Sequence, residues 1–359
     1  MAAKKKDDKV EDKGPDISSL INSLNKKFGV NTINVGFPKR DGKLKTIERI
    51  PTGSFSLDCS LGGGLPLGRF IEISGAFSAV KTTQTIHIIR EAQKRGLVCA
   101  LLDIENTTTP EYLESLGVDT STLLYSNPDG AEEATQLLID MQRSECVHFA
   151  VLDSIAALCP TKERDSDMDE TIQMGGIQKL LGEYFRKWQA ANNRLVREGK
   201  RPFTLIGINQ LRDTFNKYEP ERAPGGRGKD FFSSVNIRLR RGDWISEGTG
   251  ESKEITGCVI KYKIDKNKTY KRMQTGEFDF YLAPNVAGIP EGYNDNIKEV
   301  IVASIEHGII DRRGGWFYLN DEEKYQGLDR LVEALKQDEE KVNNLKQQVL
   351  NLLESRALV

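Results

Sequence analysis

The stretch GAFSAVKTTQT, residues 75–85, decides how the rest of the chain is read. A phosphate-binding loop has a glycine, four free positions, then Gly-Lys-Ser/Thr at the head of a helix. Gly75, Lys81 and Thr82 stand at that spacing, with Thr83 behind them, but the position before the lysine holds Val80 instead of glycine. In such a loop the backbone N–H groups of Ser78, Ala79 and Val80, with the start of the helix, would hold phosphate oxygens. Lys81 would reach the outer phosphates, and Thr82 would place its hydroxyl on magnesium. A glycine at position 80 permits a backbone conformation that a β-branched residue resists. Two readings follow: a loop that binds nucleotide poorly, or one whose neighbours have adjusted to a side chain turned away from phosphate. The intact Lys81, Thr82 and Thr83 favour the second.

Around this loop, apolar runs alternate with helical stretches. RFIEISG (69–75) runs into the loop, and TTQTIHIIREAQKRG (82–96) is helical behind it. LVCALLDIEN (97–106), VHFAVLDS (147–154) and FTLIGINQ (203–210) read as strands. EEATQLLIDMQRS (132–144) and GIQKLLGEYFRKWQAANNRLVREG (176–199) read as helices between them. Nearly continuous apolar strands alternating with helices predict an α/β fold with a mostly parallel sheet covered by helices. VNIRLRRGDWI (235–245), GCVIKYKID (257–265) and GEFDFYLAP (276–284) are expected as antiparallel strands extending that sheet. From about residue 290 the pattern is helical with one short strand, WFYL. Leu328 to Leu353 reads as a charged amphipathic helix pair or one long helix. At the other end, residues 1–16 alternate Lys with Asp and are expected to be a disordered tail. DISSLINSLNKKFG (16–29) has apolar residues at helical spacing behind an N-cap aspartate. Set apart by PKRDGKLKT (38–46), that helix could dock on a partner chain or on its own domain.

Composition closes off several function classes. A net charge of −2 means that any nucleic-acid surface is local. The five cysteines are widely spaced and form no CxxC pair, and the three histidines do not cluster, so a zinc site is not expected. Reduced thiols suit a cytoplasmic protein. No apolar run reaches membrane-spanning length and no hydrophobic signal segment follows the first residues, so no membrane partner is expected.

In an open parallel sheet, ligands bind beyond the carboxyl ends of the strands. Four strands here end on groups suited to one reaction. The first opens the loop at Gly75; the second ends at Asp103 and Glu105; the third at Asp153 and Ser154; the fourth at Gln210. A carboxylate near an outer phosphate can polarise an attacking water, an acid after a buried strand can serve magnesium, and an amide can sense the phosphate. Singly, each has a plainer explanation: a turn, a cap or a solvated side chain. Their order at successive strand ends favours phosphate chemistry.

These residues sit in a series that resembles the RecA family of recombinases. IPTGSFSLDCSLGGGLPLGRFIEISG, LLDIEN with TPEYLESLGVD, VLDSIAAL, INQLR, GGRGKDFFSSVNIRLRR and DKNK follow that family's order, from about Asp16 to about Leu319. The resemblance implies a RecA-like P-loop ATPase core with an N-terminal helix and a small α+β C-terminal domain. It implies a tail at 1–16, an oligomerisation helix and linker at 17–44, a core at 45–284, and a C-terminal domain at 285–359 ending in an amphipathic helix. It also implies ATP and Mg2+ as cofactors, with Glu105 activating water, Asp153 and Thr82 at magnesium, and Gln210 coupling the outer phosphate to the loop behind it. Tyr112 would lie against adenine or be a core tyrosine. Lys266 and Lys268 match lysines that reach a neighbouring subunit's ATP site; the plainer reading of DKNKTYKR is a basic hairpin tip. Val80 is similar to the bulky residue of UvsX-type phage recombinases, which suggests a phage or divergent bacterial member. Thr109 stands where the family usually has an aspartate near the adenine.

Two long segments follow the third and fourth strands, at about 160–177 and 212–230. The second carries Arg212, Lys217, Arg222, Arg227 and Lys229 beside Phe215 and Tyr218. Basic groups interleaved with aromatics suit a nucleic-acid single strand. By the resemblance these are the family's DNA-binding loops, and Met174, Gly175, Lys179, Arg186, Arg212, Phe215, Gly226, Arg240 and Lys263 are candidate contacts. Each basic residue could equally be a solvated surface group, and the first loop's acids have no account in a DNA reading. The implied protein is an ATP-dependent recombinase of a bacterial or phage-infected cell. It would form filaments on single-stranded DNA, exchange strands with homologous duplex, and work with a loader and a single-strand-binding protein. The competing readings are a non-catalytic filament or mediator protein and a RecA-fold ring helicase.

Overall fold

The computed structural model describes residues 17–29, 32–34, 39–40, 43–44, 47–167, 175–214, 221–248, 253–285 and 288–357. Its centre is an eight-stranded sheet. In chain order the strands are β1 (Phe70–Gly75), β2 (Cys99–Asp103), β3 (Leu124–Ser126), β4 (Phe149–Asp153), β5 (Thr204–Gln210), β6 (Val235–Glu247), β7 (Glu254–Asn267) and β8 (Thr275–Tyr281). Their spatial order is β8-β7-β6-β1-β5-β4-β2-β3. Every residue of β1, β2 and β4 is buried, as continuous apolar strands covered on both faces require.

The helices are α1 (Ile17–Phe28), α2 (Phe55–Leu61), α3 (Lys81–Gln93), α4 (Pro110–Ser115), α5 (Ala131–Ser144), α6 (Gly176–Arg197), α7 (Gly226–Phe232), α8 (Asn296–Glu306), α9 (Leu328–Lys336) and α10 (Glu339–Ala357), beside one four-residue turn of helix at Thr161–Arg164. α3 packs Ile86, Ile88 and Ile89 into a core shared with Ile71, Ile73 and Val151. Leu138 of α5 and Phe185 and Trp188 of α6 share a second core with Phe70, Ala100 and Leu152. Neighbouring strand residues such as Phe70 and Ile71 fall in different cores, because successive side chains point to opposite faces. A third core joins α8, α9 and α10 through Ile301, Leu331 and Val349 and reaches Phe55 of α2.

Two expectations need correction. β6 does not extend the sheet antiparallel to its neighbour: it runs parallel to β1, with Val235 opposite Ile71, because the chain crosses over through α7 before re-entering. Within this eight-stranded sheet, the pairings of β6 with β7 and β7 with β8 are antiparallel and the rest are parallel. The C-terminal part holds three short strands rather than one, at Asp311–Arg313, Trp316–Tyr318 and Lys324–Gln326. The outer two are polar and largely exposed, so they carry no apolar period. Of the two alternatives for Leu328–Leu353, the structure has the helix pair: Asp338 separates α9 from α10 and caps α10 by accepting from the Lys341 N–H at 3.0 Å.

α1 forms as the spacing predicts, but none of its residues is buried. Asp16, its expected cap, lies outside the described residues, as do residues 1–15. No helix among the described residues is long and apolar enough to cross a membrane.

Candidate functional site

β1 ends at Gly75, where a Cβ would lie 2.5 Å from the Leu239 carbonyl oxygen. Only glycine fits beside the paired Leu239 of β6 at this point. The chain then turns through Ser78 and Val80, at φ 58 and 48, and α3 begins at Lys81. Val80 therefore adopts the left-handed conformation, at a cost of about 1–2 kcal/mol for a residue with a Cβ. Its side chain packs against the core behind the loop, which offsets part of that strain. The loop geometry is retained with the valine in place, and the valine is turned inward.

Lys81 spans the loop, its Nζ donating to the Ala76 carbonyl at 2.8 Å. Burial lowers its pKa, while Asp153 and Glu105 act in the opposite sense. Thr82 Oγ1 donates to Asp153 Oδ2 at 2.7 Å. Burial pushes the Asp153 carboxyl up to about 6; the Thr82 bond opposes this, and Glu105 and Asp103 add to it. A hydroxyl bonded to a buried carboxylate with two further acids nearby is a set of hard oxygen ligands short of positive charge, which suits magnesium. Among the described residues no group of three or more His, Cys, Asp or Glu could hold a metal. Such an ion would complete its shell with phosphate and water.

Glu105 lies just beyond β2. Its Oε1 accepts from Ser154 Oγ at 2.5 Å and from Gln210 Nε2 at 3.1 Å. The ends of β2, β4 and β5 thus converge on one carboxylate oxygen of the exposed Glu105, and the peptide joining Asp153 to Ser154 is cis. Asp103 has a different part: fully buried, it braces the loop after β2 by accepting from the Thr108 and Thr107 N–H groups at 2.9 and 3.1 Å.

Tyr112 is not a core tyrosine. It is 36% exposed, and its hydroxyl is fixed to Thr83 Oγ1 at 2.7 Å, at the first turn of α3. Thr109 uses its hydroxyl to cap α4, accepting from the Tyr112 N–H at 3.3 Å. Lys266 and Lys268 both rest on α7: Lys266 Nζ donates to the Asp230 carbonyl at 2.6 Å and Lys268 Nζ to the Phe231 carbonyl at 3.0 Å. Phe231 is 73% exposed with Lys268 over its ring.

Met174 and Phe215 lie outside the described residues, as do Lys217 and Tyr218. The described ends of the two loops meet. Gly175 precedes α6 and Gly225 precedes α7, both at positive φ, and a Cβ on Gly226 would come within 2.7 Å of Gln178. Lys179 and Arg186 are exposed on α6. Arg212 is exposed on a two-residue strand paired with Arg222. In the β6–β7 ladder Arg238 stands opposite Lys263 and Arg240 opposite Lys261, which makes one basic surface. Glu221 pairs with Arg240, and Asp265 with Lys263 at 2.9 Å. Lys229 is the exception. Counted among the loop's basic residues, it is fully buried and bonded to Glu72 at 2.5 Å, so it cannot meet DNA in this conformation. No local signal marks it, because its partner lies on another strand; only the unusual Glu within the apolar strand FIEISG hints that a buried cation must answer it.

Comparison with known proteins agrees with this geometry. The family model described as the RecA N-terminal domain matches residues 16–287, and the RecA C-terminal domain matches 298–354. Protein RecA of Chlorobaculum tepidum is 35% identical over 341 residues, covering 94% of this chain and 92% of the relative. Protein RecA of Mannheimia haemolytica is 34% identical, covering 96% and 88%, and that of Trichormus variabilis 34%, covering 96% and 90%.

Proposed function

This chain belongs to the RecA family and is an ATP-dependent DNA recombinase, and we propose the following division of labour among its residues. The backbone of the 75–82 loop, including Ser78, Ala79 and Val80, binds the triphosphate, and Lys81 moves from the Ala76 carbonyl to its outer phosphates. Glu105 polarises the attacking water as general base. Gln210, tied to the same carboxylate oxygen, registers the outer phosphate and passes its presence to the loop that follows. Tyr112, held by Thr83, lies against the base. Thr82 and Asp153 hold magnesium, which when bound neutralises charge on the phosphates. Lys266 and Lys268 enter the site of a neighbouring protomer and supply charge in trans.

The protein binds single-stranded and duplex DNA and assembles with its own copies. We assign the DNA surface to Gly175, Lys179, Arg186, Arg212, Gly226, Arg240 and Lys263, together with Met174 and Phe215. Phosphate contacts give affinity, and base pairing between strands carries the sequence information. We also propose the layout of a tail at 1–16, an assembly helix and linker at 17–44, a core at 45–284 and a C-terminal domain at 285–359. A loader and a single-strand-binding protein complete the set, in the cytoplasm of a bacterial or phage-infected cell. Val80 is the residue that supports a phage-type or divergent bacterial member.

The observation that carries the mechanism is the meeting of Ser154, Gln210 and Glu105 beside the Thr82–Asp153 pair. A mediator without catalysis would have no need of this arrangement. The test is ATP hydrolysis by the purified protein in magnesium, with and without single-stranded DNA. DNA-stimulated turnover, with filaments rather than closed rings in electron micrographs, is expected. Absent nucleotide binding and turnover would reject the assignment of residues.

A further inference from the structure

The last two residues of β5 point to opposite faces of the sheet, as alternation along a strand requires. Gln210 faces Glu105. Asn209, fully buried, faces the other way and accepts at its Oδ1 from the Gln210 N–H at 3.1 Å. Its Nδ2 donates to Glu72 Oε1 at 2.7 Å and to the Pro224 carbonyl at 3.0 Å. Pro224 is at the return of the second long loop, just before Gly225 and α7. Glu72 Oε1 also accepts from Lys229 Nζ at 2.5 Å, and Lys229 reaches Asp230 Oδ1 at 2.8 Å. Asn236 Nδ2 donates to Glu72 Oε2 at 3.4 Å. The far end of α7 carries the carbonyls that hold Lys266 and Lys268.

A fully buried lysine and a nearly buried glutamate in a sheet core need a reason beyond stability, since apolar residues of similar volume often serve as well. Here the pair joins separate elements. One of its atoms is shared with the strand end that carries Gln210; the other partner belongs to the helix between the second loop and the two lysines. The Lys229 stem also packs against Gly225, where a Cβ would lie 3.0 Å from its Cδ and Cε.

We propose that the buried Glu72–Lys229 pair, read through Asn209, is a positioning link that makes α7 follow the end of β5. Outer-phosphate binding at Gln210 would shift Asn209, hence Glu72 and Lys229, and so move the loop return and the carbonyls under Lys266 and Lys268 as one body. Glu72 and Lys229 touch neither nucleotide nor DNA; they act through α7. The inference rests on the sensor reading of Gln210, and its test separates the two.

The test is a double substitution, Glu72→Gln with Lys229→Met, which removes both charges together and leaves no lone buried ion. Three quantities are measured on the full-length protein: thermal midpoint, ATP hydrolysis without DNA, and the stimulation of hydrolysis by single-stranded DNA. The link predicts an unchanged KM for ATP, DNA-independent hydrolysis within about twofold of the parent, and at least a tenfold loss of stimulation, with ATP no longer tightening single-strand binding. Wild-type stimulation in the double variant overturns the link, and so does equal loss of hydrolysis with and without DNA, which would mean mere structural support. Gln210→Ala is the control. Intact stimulation there overturns the sensor reading, and the link with it; stimulation lost in Gln210→Ala but kept in the double variant overturns the link alone.

Discussion

Gln210 and Ser154 donate to the same oxygen of Glu105, from the ends of two adjacent strands, at 3.1 and 2.5 Å. The shared acceptor fixes the carboxylate against two parallel strands at once. Glu105→Gln keeps an acceptor for both donors but removes the base. We expect hydrolysis to fall by about 10²–10⁴-fold while ATP binding and filament formation persist. Single-turnover hydrolysis with nucleotide binding measured in parallel checks this, and turnover close to that of the parent would exclude Glu105 as the base.

Val80 allows an opposite kind of substitution. Val80→Gly removes left-handed strain of about 1–2 kcal/mol but also removes core contacts and adds unfolded-state entropy of about 0.5–1 kcal/mol. These terms oppose one another, so the thermal midpoint should move little. If the loop already accommodates the valine, kcat and KM for ATP stay within about threefold; a gain above tenfold would show that the valine impairs the site.

Asp153 should matter through magnesium. Asp153→Asn keeps the bond from Thr82 possible and removes the charge. The magnesium needed for half-maximal hydrolysis should rise at least tenfold, and chelation should abolish turnover in parent and variant alike. A magnesium titration that overlays the parent curve would remove Asp153 from the metal's shell.

Lys266→Ala and Lys268→Ala delete side chains that bond to carbonyls of α7 within their own protomer, Lys268 lying also over the exposed Phe231 ring. Folding should be unchanged, and DNA-stimulated hydrolysis should fall more than tenfold. Mixed filaments distinguish the trans role: either lysine variant, combined with a Glu105→Gln subunit, should regain part of the turnover.

A pH dependence arises where the C-terminal helices meet the core. Burial pushes Glu299 up to about 8, with its bonds from Ser54 and Ser56 opposing and Asp58 and Asp295 adding. Burial likewise pushes Asp58 up to about 7, with bonds from Thr52 opposing. Both carboxyls hold protons in the folded state that the unfolded chain releases near pH 4. Their stabilising contribution is complete below that pH and is lost as pH rises through about 7 and 8. The thermal midpoint should decline from pH 5 to pH 8.5, and Glu299→Gln should flatten the decline. A parallel decline in the variant would place its origin elsewhere.

The sheet was legible because β1, β2, β4 and β5 are apolar almost throughout, and because their ends carry the polar groups that a parallel sheet presents to ligands. Glu105, Asp153 and Gln210 could be singled out for that reason. What escaped the sequence depends on long-range pairing. Lys229 looks like any loop lysine until Glu72 is found beside it, 157 positions away along the chain. Asp103 looks like a second catalytic acid until its loop N–H partners are seen. The strands at Asp311–Arg313 and Lys324–Gln326 are too short and too polar for periodicity to register. The parallel entry of β6 depends on which end of the sheet a crossover reaches, which composition does not encode.

The exposed stripe of α1 has a physical consequence of its own. Twelve residues that bury nothing make a helix close to the limit of what water alone sustains. Ile17, Leu20 and Phe28 are each more than half exposed, so the helix gains most of its stability only against another surface. Its helical content is thereby tied to whether the stripe is covered: low while the stripe faces water, and rising once a surface meets it.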